Sequence, residues 1–277
     1  MSQTPYMGGA DVESGPEPEI DTSIPHSARV YNYWLGGKDN YAADRALAEM
    51  IAERVPTIRT IVQSNRSFLG RVVRHLTQEA GIVQYLDIGT GIPAAGNVHE
   101  IAQAIVPQTR VLYVDNDPIV LAHARALMSG KTSGHTAFIH CDVRDPRAIL
   151  EDPALAATLD LDEPVALMLV GILMHVADDE DPYGIVATLL DALPSGSYLT
   201  ITHPTADFDA QAMGVIAGSN EQSGITFRPR SKAELEAFFT GLEMVEPGVV
   251  PVLSWRPDEP SEDPFSAYLY AAVGRKP

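Results

Sequence analysis

A short apolar run, Val83-Gln84-Tyr85-Leu86-Asp87-Ile88, breaks into Gly89-Thr90-Gly91. A second run, Val111-Leu112-Tyr113-Val114-Asp115, also ends in an acid. Between them Val98, Ile101, Ala102 and Ile105 recur at helical spacing near 95–106. A strand, a crossover helix and a second strand make a βαβ unit, which argues for a parallel sheet. In open sheets of this kind ligands bind beyond the carboxyl ends of the strands. Asp87 and Asp115 both stand there.

The alternation continues downstream. Asp117-Pro118 supplies an N-cap followed by proline at the first helical position. Ala137–Cys141 reads as a strand ending at Asp142. Val165–Val170 is continuously apolar, as expected of a strand covered on both faces. Asp181-Pro182 opens a helix through Leu193, and Gly196–Thr202 reads as the next strand. Ser231 and Glu234 have capping-box spacing before a helix that ends at Gly241. Two late strands are expected around Met244–Val250 and Ala267–Val273. The fold class is α/β, with 81–277 as its main domain.

Upstream, residues 41–76 read as two helices separated at Pro56, the first around Asp44–Val55. Ile58, Ile61, Val62, Leu69, Val72, Val73 and Leu76 give the second an apolar stripe. Residues 26–80 are therefore expected to form a helical cap. Residues 1–25 are rich in Gly, Pro, Ser and acids and read as a disordered or loosely attached arm.

A chain of 277 residues with 45% hydrophobic content can bury one sizeable core. No apolar run approaches the roughly 18 residues of a membrane span. No secretion signal is visible, and Cys141 stands alone, so the expected location is a reducing cytoplasm. The net charge of −18 disfavours nucleic acid as a partner, although residues 26–80 are slightly basic. No Cys/His spacing suggests a metal site. The run Asp178-Asp179-Glu180-Asp181 reads as solvated charge at a helix start. Nothing in the sequence specifies an oligomeric state.

The glycines of the first turn permit close approach of a ligand to the backbone. The string Gly89-Thr90-Gly91-Ile92-Pro93-Ala94 satisfies a loose dinucleotide pattern, which leaves NAD as a competing reading. Asp87 tips the balance, because a carboxylate there would repel a pyrophosphate and suit an ammonium. Asp115 is an acceptor-only group matched to a ribose diol, with Asn116 beside the adenine. Asp142 can accept from an adenine amino group while Val143 packs on the ring. Ile88, Thr90 and Gly171 complete the expected cofactor wall.

The order D-x-G-x-G, Asp and Asp on three successive strands resembles the class I S-adenosylmethionine-dependent methyltransferases. That resemblance implies a Rossmann-like sheet of seven strands, the last antiparallel. It also implies S-adenosylmethionine as cofactor and S-adenosylhomocysteine as product. The segment 28–45, Ala-Arg-Val-Tyr-Asn-Tyr-Trp-Leu-Gly-Gly-Lys-Asp-Asn-Tyr-Ala-Ala-Asp-Arg, is closer still. It resembles the N-terminal signature of a bacterial family of such methyltransferases carried as a domain of unknown function. Asn65-Arg66-Ser67-Phe68-Leu69, Asn97-Val98-His99-Glu100 and Gly224–Ser231 also look familial.

The N-terminal signature is glycine-bearing, aromatic and polar, and is a poor match to a plain amphipathic helix. It is expected to act as a lid, with Tyr31, Asn32 and Lys38 presenting polar tips to cofactor or acceptor. Arg66 is a candidate partner for the cofactor carboxylate. His175, after the fourth strand, is the candidate general base, with His203 a weaker rival. Arg228 and Arg230 are expected to pair with local carboxylates and pin a loop. The expected function is methyl transfer to a small-molecule acceptor. A non-catalytic S-adenosylmethionine sensor is the alternative, and an NAD-dependent oxidoreductase stands further behind.

Overall fold

The computed structural model describes residues 20–120, 122–123 and 135–277. The expected arm lies outside these except for residues 20–25, as does most of the helix expected after Asp117-Pro118. Five strands run parallel: β1 (Gln84–Ile88), β2 (Arg110–Asp115), β3 (Thr136–His140), β4 (Ala166–Val170) and β5 (Tyr198–Pro204). Two short strands, β6 (Glu243–Met244) and β7 (Val250–Pro251), precede the long β8 (Leu269–Arg275). The sheet order is β3-β2-β1-β4-β5-β8-β6, with β7 also pairing β8. β8 runs antiparallel to β5, β6 and β7.

The late segment departs from expectation. One strand over 244–250 is replaced by β6 and β7, so the described sheet has eight strands where seven were expected. The interruption has a local cause. Pro247 has no N–H to give to a ladder, and Gly248 sits at φ +80°, closing a turn onto the Val245 carbonyl.

Strand periodicity divides the core. Tyr85, Val111, Tyr113, Ala166 and Met168 face one layer, whereas Leu86, Ile88, Leu112, Val114, Leu167 and Leu169 face the other. Both faces are covered, as a parallel sheet requires. The first layer is made by α1 (Ser27–Trp34), α2 (Ala42–Arg54), α3 (Ile58–Gln78) and α4 (Val98–Ile105). The second contains Ile149, Leu155, Ile185, Leu189 and Phe238 from later helices and turns.

α3 supplies the longest apolar stripe. Its Phe68 meets the edge of the fully buried Trp255 at 5.2 Å between centroids. Burying side chains of this size contributes roughly 2–3 kcal/mol each. Arg71 donates to the carbonyls of Trp255 (3.0 Å) and Val252 (2.8 Å), tying the segment before β8 onto the helix.

The N-terminal signature forms a helix, contrary to its polar and aromatic reading. Val30 and Trp34, one turn apart, are buried, and Gly36 at φ +81° ends the helix. Its polar residues find partners far along the chain. Trp34 Nε1 donates to the Ala48 carbonyl (3.1 Å), and the Tyr31 hydroxyl donates to that of Val62 (3.1 Å). Buried Arg29 donates to the carbonyls of Asp21 and Ile24, which holds residues 20–25 against the cap.

Candidate cofactor cleft

Period-two alternation puts Asp87 and Asp115 on the sheet face that also carries Tyr85 and Tyr113. The turn after β1 brings the chain close to the loop after β4. Gly89 has φ +75°, and a Cβ there would overlap the Ile172 side chain. Its N–H donates to the Val114 carbonyl (2.8 Å). Asp115 joins two turns: Oδ2 accepts from the Gly91 N–H (2.7 Å) and Oδ1 from the Asp117 N–H (2.9 Å). Each oxygen keeps a lone pair, enough for a vicinal diol. Burial pushes the Asp115 carboxyl above its ordinary pKa.

Asp87 is only 6% exposed and faces a cavity, with no ion-pair partner among the described residues. Burial pushes its carboxyl up to about 7, with Asp115 adding repulsion and Arg66 on α3 opposing the rise. The Tyr113 hydroxyl on the same face is already engaged by the N–H (2.9 Å) and Nδ1 (2.8 Å) of His99. A buried carboxylate in such a place favours an incoming cation over an anion. Arg66 Nη2 donates to the carbonyls of Ala95 (3.1 Å) and Gly96 (3.0 Å) and to Asn97 Oδ1 (3.2 Å).

This cavity adjoins a second compartment, and the two share His26, Ser27, Gly89, Asp115, Asn116, Ile172 and His175. They form one cleft across the carboxyl ends of the strands. Asp87, Thr90, Gly91, Gly171, Arg66 and Tyr31 line the first part; Ile88, Asp142 and Val143 line the second. Asp142 is heavily engaged there. Its Oδ1 accepts from the N–H (2.9 Å) and Nε (2.8 Å) of Arg144. Its Oδ2 accepts from Arg144 Nη2 (2.7 Å) and Asn116 Nδ2 (2.7 Å). Arg144 beside it lowers the Asp142 carboxyl to about 2.

His175 sits in a 3₁₀ turn, Leu173–His175, after β4. Its Nδ1 is 2.8 Å from the Thr226 carbonyl, which can only accept. Nδ1 therefore carries the proton and Nε2 keeps a lone pair at the cleft. Burial lowers the ring's pKa, which favours the neutral form.

Arg230 holds this turn from beneath. Its Nη1 donates to the Leu173 carbonyl (2.9 Å), and its Nη2 to the Val176 carbonyl (2.9 Å) and Asp178 (3.0 Å). Arg228 pairs with Asp178 (2.8 Å) and Glu234 (3.0 Å). The loop-pinning expectation for both arginines matches these contacts. His203 is fully buried, with Nδ1 on the Pro204 carbonyl and Nε2 accepting from Arg230. Both ring nitrogens are occupied, so it is no rival base.

Two lid candidates stand apart from the cleft. Asn32 is buried, and its Oδ1 accepts from the Asp39 N–H (3.1 Å) and Asn40 Nδ2 (2.9 Å). It organises the Gly36–Asn40 turn. Lys38 is exposed on that turn. Conversely, His26, Ser27, Asn65, Asn97 and Arg144 border the cleft without having been singled out as site residues. Asn65 Oδ1 accepts from Thr202 Oγ1 (2.7 Å), and its Nδ2 donates to the Tyr31 hydroxyl (3.2 Å). Its signal was a polar pair, Ser64-Asn65, interrupting the apolar stripe of α3.

The residues present fit an S-adenosylmethionine-sized group. Asp87 offers a cation site, Gly89 a backbone that a Cβ would block, and Asp115 an acceptor pair for a diol. No curated protein is significantly similar in sequence. A DUF574-family protein from Streptomyces avermitilis is 46% identical in a solved structure, with TM-score 0.91 over 94% of this chain and 100% of that one. A proposed methyltransferase from Thermobifida fusca is 42% identical, with TM-score 0.87 over 96% of this chain and 99% of that one. The S-adenosyl methyltransferase family profile matches residues 13–277. The chain belongs to the S-adenosyl methyltransferase family, whose cofactor is S-adenosylmethionine.

Proposed function

We propose that this protein transfers the methyl group of S-adenosylmethionine to a small-molecule acceptor in the cytoplasm. Asp87 receives the ammonium of the methionine moiety, and Arg66 its carboxylate. Asp115 holds the ribose diol, with Ile88, Gly89, Thr90, Gly91 and Gly171 shaping the wall around it. Asn116, Asp142 and Val143 hold the adenine. The observation that carries this reading is the buried Asp87 carboxylate, about 7 in pKa, facing a cavity beside a glycine turn. The single free Cys141 supports the cytoplasmic location, and the net charge of −18 argues against a nucleic-acid acceptor.

Bound cofactor supplies an electrophilic methyl on a sulfonium. The chain supplies position and a proton acceptor. α1, with its Ser27 and Tyr31 and the preceding His26, covers the cleft and excludes water, which favours an in-line approach. His175 Nε2 takes the proton from a hydroxyl or amine acceptor as its bond to the methyl carbon forms.

Calorimetry against S-adenosylhomocysteine and NAD tests the cofactor assignment; binding of NAD alone refutes it. S-adenosylhomocysteine formation from S-adenosylmethionine in cell extract tests transfer, and its absence with intact cofactor binding favours a sensor. His175→Asn is expected to abolish turnover while leaving cofactor affinity unchanged. Unchanged turnover excludes the base role.

A further inference from the structure

The adenine end of the cleft holds a conflict. Asp142 is the only carboxylate proposed above to read the adenine amino group, and this inference rests on that reading. Two carboxylate oxygens offer about four acceptor directions. All four are filled: two by Arg144 side-chain donors, one by the Arg144 N–H and one by Asn116. An amino group cannot add a fifth bond. It must displace one of these donors.

Arg144 is the donor with a second carboxylate within reach. Its two side-chain bonds to Asp142 form a bidentate pair on a side chain that is 42% exposed. It also has somewhere to go. Its Nη1 already donates to Glu180 Oε1 (3.1 Å), across the cleft edge on the loop that follows β4. A rotation of the guanidinium would turn the paired face from Asp142 to Glu180. The backbone N–H and Asn116 would stay on Asp142 and keep it oriented. Glu180 is fixed for this exchange, because its other oxygen accepts from the Ala177 N–H (2.7 Å).

We infer that Arg144 is an exchangeable cover on the adenine site, bridging Asp142 and Glu180 when the cleft is free and paired with Glu180 alone when adenine is bound. The consequence concerns specificity. A nucleoside bearing the amino group is admitted by an exchange of partners, in which Arg144 keeps a carboxylate throughout. A nucleoside lacking that group leaves Arg144 on Asp142. The receiving carboxylate lies on the same loop as His175.

The test is calorimetric and needs no turnover. S-adenosylhomocysteine and its analogue with hydrogen in place of the adenine amino group are titrated into wild type, Arg144→Ala, Glu180→Gln and Asp142→Ala. Arg144→Ala is expected to bind S-adenosylhomocysteine up to about fivefold more tightly, the equivalent of one exposed ion pair, with no change for the analogue. Glu180→Gln is expected to weaken S-adenosylhomocysteine alone, by a similar factor. Weaker binding by Arg144→Ala, or an equal shift for both ligands, overturns the exchange. If Asp142→Ala binds S-adenosylhomocysteine as wild type does, the adenine contact itself is wrong. Failure of wild type to bind S-adenosylhomocysteine would refute the cofactor assignment instead. Thermal unfolding of each variant separates these results from a folding defect.

Discussion

Replacing Asp87 by Asn is expected to stabilise the cofactor-free protein at alkaline pH while weakening cofactor binding. The Asp87 carboxyl has an ordinary pKa of 3.8 and is raised to about 7 in the fold, mainly by burial. A raised carboxyl means that the folded state prefers the neutral form. The stabilisation from that form is complete below the unfolded value near 4 and is lost as pH rises through about 7. The difference of about 3 units corresponds to at most about 4 kcal/mol. Asn is neutral at every pH and retains the whole of it. Urea unfolding of wild type and Asp87→Asn at about pH 5 and about pH 9 should therefore show a gap that opens with pH. At the higher pH the variant should be the more stable protein by a few kcal/mol. Calorimetry with S-adenosylhomocysteine should show affinity falling about tenfold or more, because a charge-assisted hydrogen bond becomes a neutral one. A stability gap independent of pH, or a variant less stable at about pH 9, refutes the reasoning. Such an outcome would mean that Arg66 or a solvent path already neutralises the charge.

Substitutions at three further positions probe the cleft and the turn that carries His175. Gly89→Ala places a Cβ into Ile172 at φ +75° and should cost roughly 1–3 kcal/mol in urea unfolding, with weakened S-adenosylhomocysteine binding. Asn65→Ala cuts the chain from Thr202 to Tyr31 and leaves a buried hydroxyl without its acceptor. About 1–3 kcal/mol of stability should be lost, and Asn65→Asp should not restore the donor bond to Tyr31. Arg230→Met removes the guanidinium donors from the Leu173 and Val176 carbonyls beneath His175. It should destabilise by about 3 kcal/mol and lower turnover more than cofactor affinity; equal stability would deny the pinning role.

Much of the fold was legible because its signals are local. β1, β2, β4 and β5 follow apolar runs, and the Ser231–Glu234 box closes with Ser231 Oγ and Glu234 engaged reciprocally. The failures also share a cause. α1 escaped because Arg29, Asn32 and Trp34 make their hydrogen bonds to partners that are distant in sequence or contributed by a turn. The interruption of the expected strand over 244–250 was readable in Pro247 and Gly248. Arg144 carried no motif, although it lies two residues beyond Asp142.

The Asp87–Gly91 turn and the acids ending successive strands were sufficient to indicate a parallel α/β sheet and the end of it that takes a ligand. That follows from chain chemistry alone: strand alternation chooses the face, and glycine supplies the turn. Which groups are available to a ligand depends on neighbours brought together from afar. Asp87 stands against a cavity, Asp142 is covered by Arg144, and His203 is sealed by Arg230. Hydrogen-bond valence and burial are properties of the assembled surroundings, and residue type cannot carry them.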